Sequence, residues 1–305
     1  MHDLENAGED AGSRCGYVAI VGRPNVGKST LVNRILGHKL CITSRRPQTT
    51  RHRILGIKST GGSQLILVDT PGMHSGRTRA LNRYLNRTAD GALLGVDLAV
   101  MLVEALKFER DDQRVLERVV ASALPCLLAI NKVDQVSDKQ RLLPFLADIA
   151  RRHSFDEIVP IAARQGTGVQ TLERLMCDRL PLREPEFDPD QLTDRSMRFV
   201  AAELVREQLI RRLGQELPHR LSVEIERYDE SGPLVRIDAL IWVESRSQKP
   251  IVVGRRGEQL KRAGTEVRSA LESMTGKRVD LRLWVKVQQG WTDDERALNR
   301  LGYVD

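Results

Sequence analysis

The sequence predicts an α/β domain with a mostly parallel sheet flanked by helices, followed by a smaller α+β domain. Three observations predict it. Residues 17–180 alternate short apolar, β-rich runs with stretches of helical spacing, the pattern of strands joined by crossover helices. Residues 181–190 interleave prolines with acidic side chains; proline stops helices, and like charge opposes collapse. Residues 198–286 then bring alternating strands and two amphipathic helices around one glycine-rich loop.

In the first domain, residues 17–21 end at Gly22 and suit a strand buried on both faces. Helical spacing runs from Ser29 through Leu31, Val32, Ile35 and Leu36 and stops at Gly37. Residues 53–58 and 64–68 flank a Ser/Thr/Gly loop and form a hairpin, which supplies the one antiparallel strand. Residues 97–103, 125–130 and 157–161 are further strands, and 110–123, 142–152 and 169–180 are helices. In the second domain, 198–213 is a helix, and 221–226 and 234–243 are strands. Ile251, Val252 and Val253 lead into a Gly-x-x-Gly loop. Leu260, Ala263, Val267, Ala270, Leu271 and Met274 then form one helical face, and 279–285 alternate as a closing strand. The expected organisation is a loose tail at 1–14, a first domain at 15–181, a linker at 182–197, a second domain at 198–290 and a C-terminal tail at 291–305.

With 41% hydrophobic and 29% charged residues, the composition of the 305-residue chain is globular, and each half is long enough to bury a core. A net charge of +7 favours polyanionic partners. Cys15, Cys41, Cys126 and Cys177 lack C-x-x-C spacing and the histidines are scattered, which excludes zinc-finger and dithiol chemistry. No apolar run is long enough to span a bilayer, and residues 1–13 lack a secretory pattern, so a cytoplasmic location is expected.

Gly22-Arg23-Pro24-Asn25-Val26-Gly27-Lys28-Ser29, continued by Thr30, matches G-x-x-x-x-G-K-[ST] between a strand and a helix. Backbone N–H groups at such a turn donate to phosphate oxygens. Lys28 is expected to reach the terminal phosphates and Ser29 to ligate Mg²⁺. Asp69-Thr70-Pro71-Gly72 follows a strand, placing Asp69 to hold Mg²⁺ through water and the Gly72 N–H to sense a γ-phosphate. Asn131-Lys132-Val133-Asp134 follows another strand. A carboxylate there accepts from N1–H and the 2-amino group of guanine, and adenine offers neither donor, so Asp134 selects GTP over ATP.

In this order the motifs resemble those of TRAFAC-class small GTPases, in the bacterial translation-associated version. The resemblance implies GTP/GDP as ligand, Mg²⁺ as cofactor, and a switch I threonine within Gln48-Thr49-Thr50-Arg51, with Thr50 preferred as Mg²⁺ ligand and Thr49 the alternate. Lys28, Thr50 and Gly72 are then the groups acting on the reacting phosphates. Two departures stand out. Ala162-Ala163 replaces the usual Ser-Ala of the base-side loop. The Ala163 N–H is still expected to meet guanine O6, with weaker affinity for want of a hydroxyl. Met73 stands where many GTPases carry a water-orienting glutamine, so slow intrinsic hydrolysis is expected. K⁺ held partly by Asn25 is a further expectation drawn from K⁺-dependent relatives.

Gly254-Arg255-Arg256-Gly257 between apolar elements, with Lys261 and Arg262 beyond, is the signature of a KH domain, which clamps a single-stranded nucleic-acid backbone. The combination resembles the Era family over nearly the whole chain. Pro47-Gln48-Thr49-Thr50-Arg51-His52-Arg53-Ile54, Leu283-Trp284-Val285-Lys286-Val287 and Gly290-Trp291-Thr292-Asp293-Asp294-Glu295-Arg296 carry the resemblance most specifically. It implies a P-loop GTPase domain followed by a type II KH domain that binds the 3′ end of 16S rRNA. It further implies a monomer acting in 30S ribosomal subunit biogenesis, cytoplasmic and peripherally associated with the inner membrane. Two other functions fit the residues: a guanine-nucleotide-binding RNA scaffold with negligible turnover, and a tRNA-modification GTPase.

Overall fold

The structure, a computed structural model, describes residues 13–44, 46, 49–72, 80–214 and 217–303. Met73 and Gln48 lie outside the described residues.

Among the described residues the first domain carries six strands: β1 (Arg14–Val21), β2 (Ile54–Thr60), β3 (Ser63–Asp69), β4 (Leu98–Glu104), β5 (Cys126–Asn131) and β6 (Glu157–Pro160). Their order is β2-β3-β1-β4-β5-β6, and only β2 runs antiparallel to its neighbour. Nearly every residue of the central strands is buried, as a sheet covered on both faces requires. Among the described residues the α-helices of this domain are α1 (Lys28–Leu36), α2 (Ala80–Asp90), α3 (Arg110–Ser122), α4 (Leu142–Ala150) and α5 (Val169–Asp178). Because β1, β3, β4 and β5 are parallel, the segments leaving β1, β3 and β5 emerge at one end of the sheet. The chain leaves β1 toward β3 on one side and β4 on the other, so the first loop opens at the topological switch point where such sheets bind ligands.

The second domain runs α6 (Met197–Arg212), β7 (Leu221–Asp229), β8 (Leu234–Val243), α7 (Gln248–Val253), α8 (Glu258–Thr275) and β9 (Arg278–Val287), and α9 (Glu295–Arg300) follows it. β7 pairs antiparallel with β8, and β8 pairs parallel with β9. α6 and α8 cover one sheet face; Val205, Leu209, Ala263, Val267 and Leu271 fill the space between. One continuous apolar cluster runs from Leu31 and Val32 of the first domain to Leu204 and Ile241 of the second.

Four features differ from the expected organisation. β1 begins at Arg14, inside the span expected as a tail, because Arg14 N–H pairs with Gly62 O. The segment 182–197 lies along the edge of the sheet instead of hanging free. Ile57 N–H donates to Leu192 O at 2.9 Å, and Gln64 Oε1 accepts from the N–H groups of Glu186 and Phe187 at 2.8 and 3.0 Å. An edge strand leaves backbone groups unpaired, and this segment pairs some of them. Within 291–305, Trp291, Ala297, Leu298, Leu301 and Tyr303 are buried against Ala80, Leu81, Tyr84 and Leu85 of α2. α2, α7 and α9 are helices that the periodicity did not resolve.

Candidate functional site

The loop between β1 and α1 wraps the end of the sheet. Lys28 is buried, and its Nζ donates back to Gly22 O at 2.9 Å and Arg23 O at 3.1 Å. Burial lowers its pKa to about 8 against the opposing pull of Asp69. Arg23 anchors the loop to α3 through Asp112 at 3.0 Å. Gly72 approaches the loop so closely that a Cβ would sit 2.8 Å from Pro24 backbone, so only glycine brings this peptide against the phosphate-binding turn.

Three oxygens converge beside Lys28. Ser29 Oγ lies 2.9 Å from Thr50 Oγ1 and donates to Asp69 Oδ2 at 2.7 Å. Asp69 Oδ1 is buried without a hydrogen-bond partner. Burial raises the Asp69 pKa, while Ser29 and Lys28 oppose the rise. A buried carboxylate oxygen left over beside two hydroxyls fits a hard, oxygen-seeking cation. Thr49 turns away: its hydroxyl meets Ser44 Oγ at 2.6 Å and Arg46 O at 2.7 Å. No cluster of three His, Cys, Asp or Glu among the described residues offers a competing metal site.

At the other end of the cleft, Asn131 ties the base-side loop to the phosphate loop. Its Nδ2 donates to Val26 O at 2.7 Å and its Oδ1 accepts from Ala163 N–H at 3.0 Å. The Ala163 N–H that the sequence assigns to guanine O6 faces Asn131 Oδ1 in this structure, and Ala162 N–H goes to Thr167 O. Lys132 adopts a left-handed backbone and pairs with Glu104 at 2.5 Å, leaving Val133 and Asp134 to follow in a tight turn. Asp134 is exposed and lines the cleft. The whole cleft has a volume of about 1110 Å³, and Thr30, Thr43, Asn131 and Asp134 are among its walls.

In the second domain Gly254 and Gly257 flank Arg255 and Arg256, which are exposed. Gly254 has φ 75°, and a Cβ there would meet Gln259 Cγ at 2.5 Å, so the loop turns only with glycine. Lys261 and Arg262 are exposed on the first turns of α8, and Arg262 pairs with Glu258. A groove of about 220 Å³ beside the loop is lined by Pro250, Ile251 and Gln259 together with Gly254, Arg255 and Arg262. Ile251 and Gln259 were not among the expected site residues; an apolar side chain 52% exposed beside a basic loop is the signal that finds Ile251.

Family models agree with this division. A 50S ribosome-binding GTPase model matches residues 17–132, and a KH domain model matches 216–292. GTPase Era of Ectopseudomonas mendocina is 54% identical over 293 residues, covering 96% of this chain and 98% of that one. The chain belongs to the Era family of GTPases. GTPase Era of Pseudomonas aeruginosa is 53% identical over 295 residues, 97% of each chain. Among solved structures, a point variant of Aquifex aeolicus Era bound to GDP·AlF4⁻ superposes with a TM-score of 0.92 at 33% identity, covering 96% of this chain and 100% of that one. Era in complex with MgGDPNP and nucleotides 1506–1542 of 16S ribosomal RNA gives 0.93 at 34% identity with the same coverage. The Era fold, a P-loop GTPase domain followed by a KH domain, is therefore that of this chain, and the enzyme hydrolyses GTP.

In this Era-family chain the nucleotide cleft is not confined to one domain. Ile210 and Arg211, both from α6 of the KH domain, complete its wall.

Proposed function

We propose that this GTPase binds Mg²⁺·GTP in the cleft between the phosphate loop and Asp134, and binds the 3′ end of 16S rRNA through the Gly254–Gly257 loop. Its role is then in 30S subunit biogenesis, as a monomer in the cytoplasm with peripheral association at the inner membrane. The convergence of Ser29, Thr50 and Asp69 at one end of a cleft that carries Asp134 at the other supports it best.

Ser29, Thr50 and Asp69 are the residues that would hold the cation. When bound there, the cation would supply positive charge against the phosphates. Lys28 exchanges its two carbonyl partners for phosphate oxygens, and Gly72 presents its peptide to the γ-phosphate. Asn131 keeps the two loops in register, and Asp134 rejects adenine because a mismatched base leaves its carboxylate unpaired. In the KH domain, Arg255, Arg256, Lys261 and Arg262 offer charge to the backbone of a single strand, and Ile251 offers an apolar surface to a base.

RNA crosslinking of two variants tests the division of labour. Lys28→Ala should lose turnover and keep RNA, whereas the double change Arg255→Ala, Arg256→Ala should lose RNA and keep GTP binding. Uptake of ATP as readily as GTP would remove the role of Asp134. Charge compensation by K⁺ near Asn25 predicts faster hydrolysis in KCl than in NaCl, and equal rates would exclude it.

A further inference from the structure

Thr43 and Thr49, on the stretch that leads into Thr50, both meet the KH domain. Thr43 N–H donates to Glu207 Oε1 at 2.9 Å, and Arg211 donates to Thr43 O at 3.2 Å. Further along, the Thr49 carbonyl accepts from Arg206 Nη2. Arg206 is 1% exposed. Its Nε and Nη2 each donate to Glu203 at 2.7 Å, so the guanidinium is held as a fork in one plane. Burial opposes the charge on both partners, but each holds the other ionised: the Glu203 pKa is lowered and that of Arg206 raised.

The peptide gripped by Arg206 is the one that leads into Thr50. One end of that planar unit is fixed to α6, and the residue at its other end places Oγ1 2.9 Å from Ser29 Oγ. Rotating the Thr49–Thr50 peptide would carry the hydroxyl away from Ser29 and Asp69. A buried ion pair seldom adds stability beyond what apolar residues of the same volume supply. Here Arg206 Nη1 is also buried with no hydrogen-bond partner, which costs stability further.

We propose that Arg206, on the first helix of the KH domain, is a positioning residue for GTP hydrolysis: by holding the Thr49 carbonyl it sets Thr50 Oγ1 on the cation cluster. Completion of the nucleotide site then depends on where the KH domain sits. The proposal rests on Thr50 as the switch I ligand of Mg²⁺.

The test uses the full chain with Arg206→Met, Arg206→Lys, the paired replacement Glu203→Met with Arg206→Met, and Thr50→Ala. The paired replacement removes both members of the ion pair together, so neither Glu203 nor Arg206 is left facing a missing partner. Turnover is measured against Mg²⁺ concentration, beside GDP affinity and thermal midpoint. Losing a buried charge-assisted hydrogen bond to the switch should raise the Mg²⁺ requirement and lower kcat about tenfold or more. GDP affinity should stay within about twofold, since the γ-phosphate side alone uses Thr50. Arg206→Lys, which keeps one donor, should recover part of the loss. A folded paired variant with the parent's Mg²⁺ dependence would overturn the proposal. If Thr50→Ala itself left that dependence unchanged, the role of Thr50 would fall first, and the proposal with it.

Discussion

Asp134 is an exposed carboxylate at the rim of a cleft whose other end is built for phosphate. Both of its oxygens are acceptors, which matches the two donors on the guanine edge. Asp134→Asn replaces one acceptor with a donor. We expect GTP affinity to fall at least about a hundredfold, because a polar mismatch is left in the base site. Xanthosine triphosphate, with a carbonyl where guanine has its amino group, should gain relative affinity; competition binding reads both. The lettered motifs were legible because each glycine, lysine and acid has a fixed offset from a strand end. The choice between Thr49 and Thr50 was not, since neighbouring threonines look alike in sequence. In the folded chain one hydroxyl meets Ser29 and the other Ser44. The partner of Ala163 N–H was equally hidden, because it depends on how Asn131 bridges two loops.

Among the elements, long periodic ones were readable and short ones were not. β8 and α8 lie close to where alternation and helical spacing put them. α7 was hidden because Ile251-Val252-Val253 favours strand, while Pro250 looks like a breaker. Pro250 sits in the first turn, where its missing N–H leaves no helical bond unmade. α2 presents Leu81, Tyr84 and Leu85 to the segment around α9. Trp291, fully buried there, also donates Nε1–H to Arg220 O at 3.3 Å. Trp291→Ala should lower unfolding stability by about 3–5 kcal/mol, the usual cost of removing a large core aromatic. A denaturant titration with the parent's slope checks it.

At the scale of the whole molecule the two domains meet through switch I. His52 stacks on Tyr303 at 4.8 Å, with Phe199 and Tyr84 edge-on. Burial drives its pKa down to about 4; Glu203 opposes, and Arg206, Arg195 and Arg51 add to the fall. The folded protein therefore keeps His52 neutral in a range where the unfolded chain, with a pKa near 6.5, takes up a proton. Stability contributed by this site is present above about pH 6.5 and is lost as pH falls toward 4. Against His52→Phe, the parent should lose roughly 2 kcal/mol between pH 7 and pH 5, read from unfolding midpoints. The proline-rich stretch after α5 forms no helix before α6 begins, as its composition requires. Composition could not reveal that segment 182–197 is pinned to β2, because edge pairing depends on backbone groups rather than side-chain identity.

That pinned segment bears on how the protein can be divided. A GTPase half ending at residue 181 would strip the cover from Ile57 and Gln64 and bare a β ribbon to solvent. Such a fragment should self-associate edge to edge, and one ending at residue 195 should stay dispersed, a contrast that sedimentation velocity at rising concentration would display.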